Sequence, residues 1–255
     1  MAQDRAAPPP AKLKVLAARD FVAIGQMQAT LWTPEAEVSG AKLLMQLVPR
    51  WQSRFDSEPV VLPTASGLPR DLPRLILQQQ RGEWRCEVSA ERINVYWQKT
   101  KPDSTQPTKF ALEAAELFDE YIRFLGARVG RMAAVLTRYA PHPSPALFLA
   151  RHFCDARWAK APFNRPENFE LHAHKTFTLA KRFSVNSWVR NKTGFAATEG
   201  GQVGVVLVEQ DLNTLFEEIG ERSFTPSDVR EFFSAAHAEF DSILNLYYPS
   251  EEGVG

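Results

Sequence analysis

Apolar and polar residues alternate over 92–98. Ile93, Val95 and Trp97 fall on one face and Asn94 and Tyr96 on the other, the period of a half-buried strand. Two further stretches precede it, Arg74–Gln79 and Glu83–Ser89, joined by a turn at Arg81-Gly82. The three read as an antiparallel meander. One or two strands are expected over 13–33, ending at Trp32. Pro34 then opens a helix, with Glu35 and Glu37 in the first turn, where the helix dipole favours acids. Leu43, Leu44, Leu47 and Val48 give that helix its apolar stripe, and it ends near Trp51 or Phe55. Residues 56–72 hold Pro59, Pro63, Gly67 and Pro69 and read as loop, with one short strand at Val60–Leu62.

The period changes after a polar, Pro-containing loop at 100–108. Phe110, Ala114, Leu117, Phe118, Tyr121, Ile122 and Leu125 recur at helical spacing and predict a helix from Lys109 to Leu125. A strand follows at Arg131–Ala140. Ser144 and Pro145 then cap and open a short helix to Cys154. Strands are expected again at Phe169–Leu179, Phe183–Arg190 and Gln202–Glu209. A long helix closes the chain from Pro226 to Tyr248, capped by Thr225, with Val229, Phe232, Phe233, Ala236, Phe240, Ile243, Leu244 and Tyr247 as its buried stripe. Each half is thus a meander followed by a long amphipathic helix. The expected fold class is α+β, built as two similar lobes, each an antiparallel sheet covered by helices, the pattern of an internal duplication. The expected division is a disordered lead-in at 1–12, an N-terminal lobe at 13–155 and a C-terminal lobe at 156–255.

Charge refines this picture locally. The chain of 255 residues carries 30 basic and 30 acidic side chains, a balance unlike the basic excess of a dedicated nucleic-acid binder. The signs are nevertheless segregated. From Arg151 to Lys192 nine basic residues face three acids, whereas from Glu199 onward twelve acids face two arginines. Trp158, Phe163, Trp188 and Phe195 interleave with the basic stretch. Aromatics among cations suit single-stranded nucleic acid, which makes Arg157, Lys160, Lys175, Lys181, Arg182, Trp188, Arg190 and Lys192 candidate nucleic-acid-binding residues. The competing expectation is that the acidic final helix compensates the stretch within one lobe.

The two cysteines, Cys86 and Cys154, read as reduced thiols in or near the core. No apolar run reaches the roughly 20 residues of a membrane helix, and the N-terminus lacks an apolar signal core. A cytoplasmic protein without membrane contact is expected.

Candidate chemistry is sparse. His172 and His174 lie two apart in an expected strand and so share a face with Glu170. Zinc would need further ligands that the spacing does not supply. His237 sits mid-helix with Asp241 four residues on, and these three histidines form the candidate pocket set. His152 and Cys154 fall on nearly opposite sides of a helix, which argues against a nucleophile pair. There is no Gly-x-Ser-x-Gly elbow, phosphate loop or Gly-x-Gly-x-x-Gly. No catalytic residue, metal or cofactor is assigned.

Three stretches together carry a resemblance. They are Pro73-Arg74-Leu75-Ile76 leading to Arg92-Ile93-Asn94-Val95-Tyr96-Trp97, the strand Val203–Val208 with Asp211 after it, and the helix with Ala236-His237 and Phe240 that ends in Tyr247-Tyr248-Pro249. Over roughly 13–249 the chain resembles a sporadically distributed family of uncharacterised prokaryotic proteins of about this length. That family more often has a polar Asn before the Trp, where Val95-Tyr96 stands here. The resemblance implies no activity and transfers no catalytic residue. The family's patchy distribution implies an accessory role, such as a defence or toxin–antidote module. The leading expectation is a non-enzymatic binding or regulatory protein acting through protein–protein contact. A nucleic-acid binder using 151–192 and a metal-dependent hydrolase on the His172/His174 face are the alternatives.

Overall fold

The structure is a computed structural model that describes residues 14–36, 38–62, 67–99, 107–155 and 166–250. Among these residues, strands β1 (Ala23–Trp32), β2 (Val60–Val61), β3 (Leu75–Gln78), β4 (Trp84–Val88), β5 (Arg92–Gln98), β6 (Arg131–Pro141), β7 (Glu170–Leu179), β8 (Phe183–Thr198) and β9 (Gly201–Thr214) join in one sheet. Its order is β2-β3-β4-β5-β1-β6-β9-β8-β7, antiparallel throughout. The helices are α1 (Gly40–Gln46), α2 (Val48–Trp51), α3 (Pro107–Leu125), α4 (Pro145–Phe153) and α5 (Pro226–Tyr247). The α+β class holds.

The two expected meanders are both present, at β3-β4-β5 and β7-β8-β9, each followed by a long helix. They share one sheet. β6 pairs with β1 on one side and β9 on the other, so the sheet runs unbroken across the boundary expected at 155. The lead-in expected at 1–12 lies outside the described residues.

Helices cover one face. Ile93, Val95 and Trp97 of β5 point into this layer and are fully buried, as their alternation predicts. α3 and α5 pack side by side over the sheet centre, where Phe118 meets Phe233 at 5.4 Å. Phe110 of α3 stacks on Trp84 of β4 at 5.3 Å. α4 extends the layer through Phe148, which stacks on Tyr248 beyond the end of α5. α5 starts where the sequence predicts. Thr225 Oγ1 accepts from the Asp228 N–H, and the Asp228 carboxylate accepts in return from the Thr225 N–H, a reciprocal cap that satisfies two end donors.

Two expectations change. Pro34 and Glu35 form a turn rather than a helix start, closed by the Ala36 N–H donating to the Thr33 carbonyl at 3.0 Å. Glu35 instead reaches Arg128 at 2.7 Å, and that contact holds its carboxyl below the usual range. Glu37 lies outside the described residues. The helical segment then breaks at Leu47, because Pro49 has no N–H to offer the preceding turn. β8 also runs well past Arg190, to a hairpin closed at Thr198 and Gly201, and β9 runs past Glu209 to Thr214. Cross-strand pairing extends them through polar residues that carry little strand signal of their own.

Candidate functional site: the open face of the sheet

In an antiparallel sheet, directly opposed residues project from the same face. The register therefore assembles the uncovered face row by row. One row runs Gln78, Arg85, Tyr96, Gln28, Val135, Asp211, Trp188, His174, across β3, β4, β5, β1, β6, β9, β8 and β7. Beside it lies Gln98, Gln26, Thr137, Glu209, Arg190, His172. On the other side lies Ile76, Glu87, Asn94, Thr30, Ala133, Asn213, Asn186, Thr176, a row whose middle members Asn94, Thr30, Ala133 and Asn213 are buried. These rows are polar almost throughout, while the alternate residues of the same strands are mostly the apolar core, with Arg138, Ser187, Asn191 and Gln210 buried among them.

Hydrogen bonds and ion pairs tie the face together. At its β7–β8 end the His174 ring lies nearly parallel to the Trp188 indole, 4.3 Å away. His174 Nε2 is 3.0 Å from Asn186 Oδ1. Arg190 meets Glu209 at 2.7 Å and Asp211 at 3.9 Å, and Lys192 reaches Glu209 at 3.2 Å. Asp211 accepts from Asn213 Nδ2 at 2.9 Å. Burial pushes the Asp211 carboxyl above its ordinary range, against the pull of Asn213, Arg190 and Arg131. Arg131 donates to Asn213 Oδ1 at 2.8 Å and to the Thr214 carbonyl at 3.0 Å. Its guanidinium stacks on Trp32 at 4.4 Å and lies 5.6 Å from Phe216.

The face continues into β1, β5 and β4. Thr30 Oγ1 donates to Asn94 Oδ1 at 2.8 Å and accepts from Gln28 Nε2 at 3.0 Å. Tyr96 OH donates to Glu87 at 3.4 Å, and Arg85 meets the same carboxylate at 2.5 Å. Burial above all, and the nearby Glu87 charge, push the Tyr96 phenol up to about 12. A depression of about 250 Å³ lies here, lined by Gln26, Gln78, Arg85, Glu87, Tyr96 and Gln98. Its walls can donate and accept hydrogen bonds in close alternation.

The sequence-derived candidates divide between faces. His172 and His174 share the open face with Glu170, as their spacing requires. His172 Nε2 is 3.4 Å from Glu170, and both side chains are exposed. Among the described residues, no three His, Cys, Asp or Glu side chains are grouped to hold a metal ion. His237 is not with them. It sits on α5, on the opposite side of the sheet, half-buried beside a cleft of about 180 Å³ lined by Thr108, Leu112, Glu116, Arg230 and Ser234. Desolvation pulls its pKa down, Asp241 opposes that shift and Arg138 adds to it.

The basic candidates scatter likewise. Trp188, Arg190 and Lys192 lie on the open face, with Arg190 and Lys192 both held by Glu209. Lys175 is on the other side of β7, over Phe177 at 5.9 Å. Lys181 occupies the β7–β8 turn at positive φ. Arg182 reaches across to Asp228 and Glu231 of α5. Arg157 and Lys160 lie outside the described residues. The expected compensation by the acidic final helix thus holds for Arg182, while β9 supplies the acids for Arg190 and Lys192. His152 bonds the Tyr247 carbonyl at 2.7 Å and stacks on Tyr248, and Cys154 lies beyond the end of α4. Burial pushes the Cys86 thiol far above its usual range.

Sequence reading missed Asp211, Arg131, Tyr96, Gln26 and Gln28 as members of one surface. The signal for β1 was present: Gln26, Gln28 and Thr30 alternate with Met27, Ala29 and Leu31.

The fold and this face define a class: an α+β protein whose single sheet is sheltered by helices on one side and presents polar and aromatic side chains on the other. Comparisons with known proteins take this no further. No protein-family model matches the chain, and no curated protein matches it. Among solved structures, the di-domain ARO/CYC StfQ from the steffimycin biosynthetic pathway aligns over 90% of this chain and 99% of its own, at 12% identity. The TM-score of 0.18 is too low to carry an argument. No described helix is long and apolar enough to cross a membrane.

Proposed function

We propose that the chain is a non-enzymatic binding protein that engages a protein partner through the open face of its sheet. The observation that carries this reading is the alternation of charge across that face. Arg85 lies beside Glu87, and Arg190 and Lys192 lie beside Glu209 and Asp211. A polyphosphate needs uncompensated cations, whereas a protein surface presents both signs and many amide groups. Tyr96, Trp188 and the Arg131–Trp32 stack supply the residue types that anchor such contacts. The matching order of strand, helix, meander and long helix in β1–α3 and β6–α5 supports two similar lobes that together build the surface. The resemblance to a patchily distributed prokaryotic family supports a place in an accessory, defence or toxin–antidote system.

The test is affinity capture from nuclease-treated lysate of the native host, with wild-type protein and two variants as bait. Arg190→Glu on the open face should lose a specific partner that wild-type retains, whereas Leu246→Glu on the exposed side of α5 should keep it. Equal capture by both variants would remove the open face from the interaction. Binding to single-stranded DNA or RNA that weakens steeply with salt would instead favour the nucleic-acid reading, which rests on Trp188, Arg190 and Lys192 sharing one face.

A further inference from the structure

We infer that the β7 edge of the sheet pairs with the same edge of a second copy of this chain. The inference is independent of what the open face binds. The two sheet edges are unequal: β2 is two residues long, whereas β7 is ten. All ten β7 residues pair with β8 in one unbroken register, without bulge or proline. Natural sheets usually blunt a long edge with such features.

Among the described residues no strand lies outside β7, and the direction of its outer groups follows from the ladder. Thr193 N–H donates to the Phe169 carbonyl at 3.2 Å, and the same register runs to Leu179 and Phe183. Antiparallel ladders alternate residues bonded to the neighbour with residues whose groups point away. The odd-numbered β7 residues therefore bond β8. Glu170, His172, His174, Thr176 and Thr178 turn their N–H and C=O groups outward, and all five are exposed.

A second copy is the occupant that this strand fits. A two-fold axis at His174 overlaps residues 170–178 and keeps each face in register, whereas the equally long overlap about Lys175 would set that lysine against its own copy. It sets Leu171 opposite the second copy's Phe177, and Glu170 opposite its Thr178. Lys175 meets Ala173, so neither charged residue of the strand faces a like charge. The product is a continuous sheet whose two polar faces lie side by side.

Sedimentation velocity at tens of micromolar should show a particle of twice 28.8 kDa. Thr176→Pro removes an outward N–H and spares the β8 ladder, so it should give a monomer with an unchanged far-UV spectrum. In a Cys154→Ser background, His174→Cys should form a covalent dimer on oxidation, because paired Cα atoms about 5.5 Å apart lie within disulfide reach. Thr178→Cys should not. A wild-type monomer would overturn the inference, as would a dimer that survives Thr176→Pro. Cross-linking through Thr178→Cys in place of His174→Cys would overturn the two-fold register.

Discussion

Arg138 on β6 and Asp241 on α5 are bonded at 2.5 Å, the arginine side chain 9% exposed and the aspartate 62%. The strand thus sends a guanidinium into the apolar interface with the helix, and its compensating charge comes from the rim. The two partners are not equivalent. Asp241→Ala leaves a buried cation unpaired and should destabilise by about 2–3 kcal/mol, less than the roughly 3–5 kcal/mol of a fully buried pair. Arg138→Met removes the cation itself and should cost under about 1 kcal/mol. Urea unfolding of the two variants measures the asymmetry, and equal losses would contradict it.

His237 lies one turn before Asp241, and its pKa is lowered from 6.5, chiefly by desolvation. A histidine depressed in the folded state takes up its proton more readily when unfolded. Its contribution is therefore present above the unfolded pKa and lost as pH falls below it through the folded value. Stability should decline as pH drops below 6.5, and His237→Gln should flatten that part of the profile. Thermal melts at a series of pH values check this.

Asp211 behaves in the opposite sense. Its carboxyl is raised from 3.8 by burial, so the contribution is fully present below the unfolded pKa and is lost as pH rises through the folded one. Asp211→Asn should melt at a higher temperature than wild-type at pH 7, and the difference should shrink toward pH 3.8. A half-buried carboxylate that lowers stability on a polar face is expected where binding is selected over folding. The same variant should therefore weaken partner capture.

The β7–β8 turn offers a simple gain. Ala180 and Lys181 both carry positive φ, 51° and 57°, a conformation that costs an L-residue about 1–2 kcal/mol. Ala180→Asn with Lys181→Gly supplies the residues this turn favours and should stabilise the protein by about 1 kcal/mol, read from the urea midpoint.

Much of the fold is visible in the period of the chain. β5 appears at its full length because Ile93, Val95 and Trp97 alternate strictly with polar residues. α5 appears because Thr225, Pro226 and a long apolar stripe coincide. The break at Leu47 was present in Pro49 but was masked by the continuous stripe of Leu43, Leu44, Leu47 and Val48. Joining the meanders into one sheet depended on β6 pairing on both sides, which no local pattern encodes. The site was less legible for the same reason. Asp211, Trp188 and Gln28 lie far apart in sequence, and only the register sets them in one row. Parity within a strand placed His172 with His174; nothing local could place His237 relative to them.

β6 also governs the order of assembly. It is synthesised after β1, its neighbour on one side, but its other neighbour is β9, the last of the described strands. A nascent chain that has reached β6 but not β9 thus exposes a long bare strand edge, the kind of template that recruits foreign chains. Release before β9 emerges should send the truncated product to inclusion bodies or a chaperone.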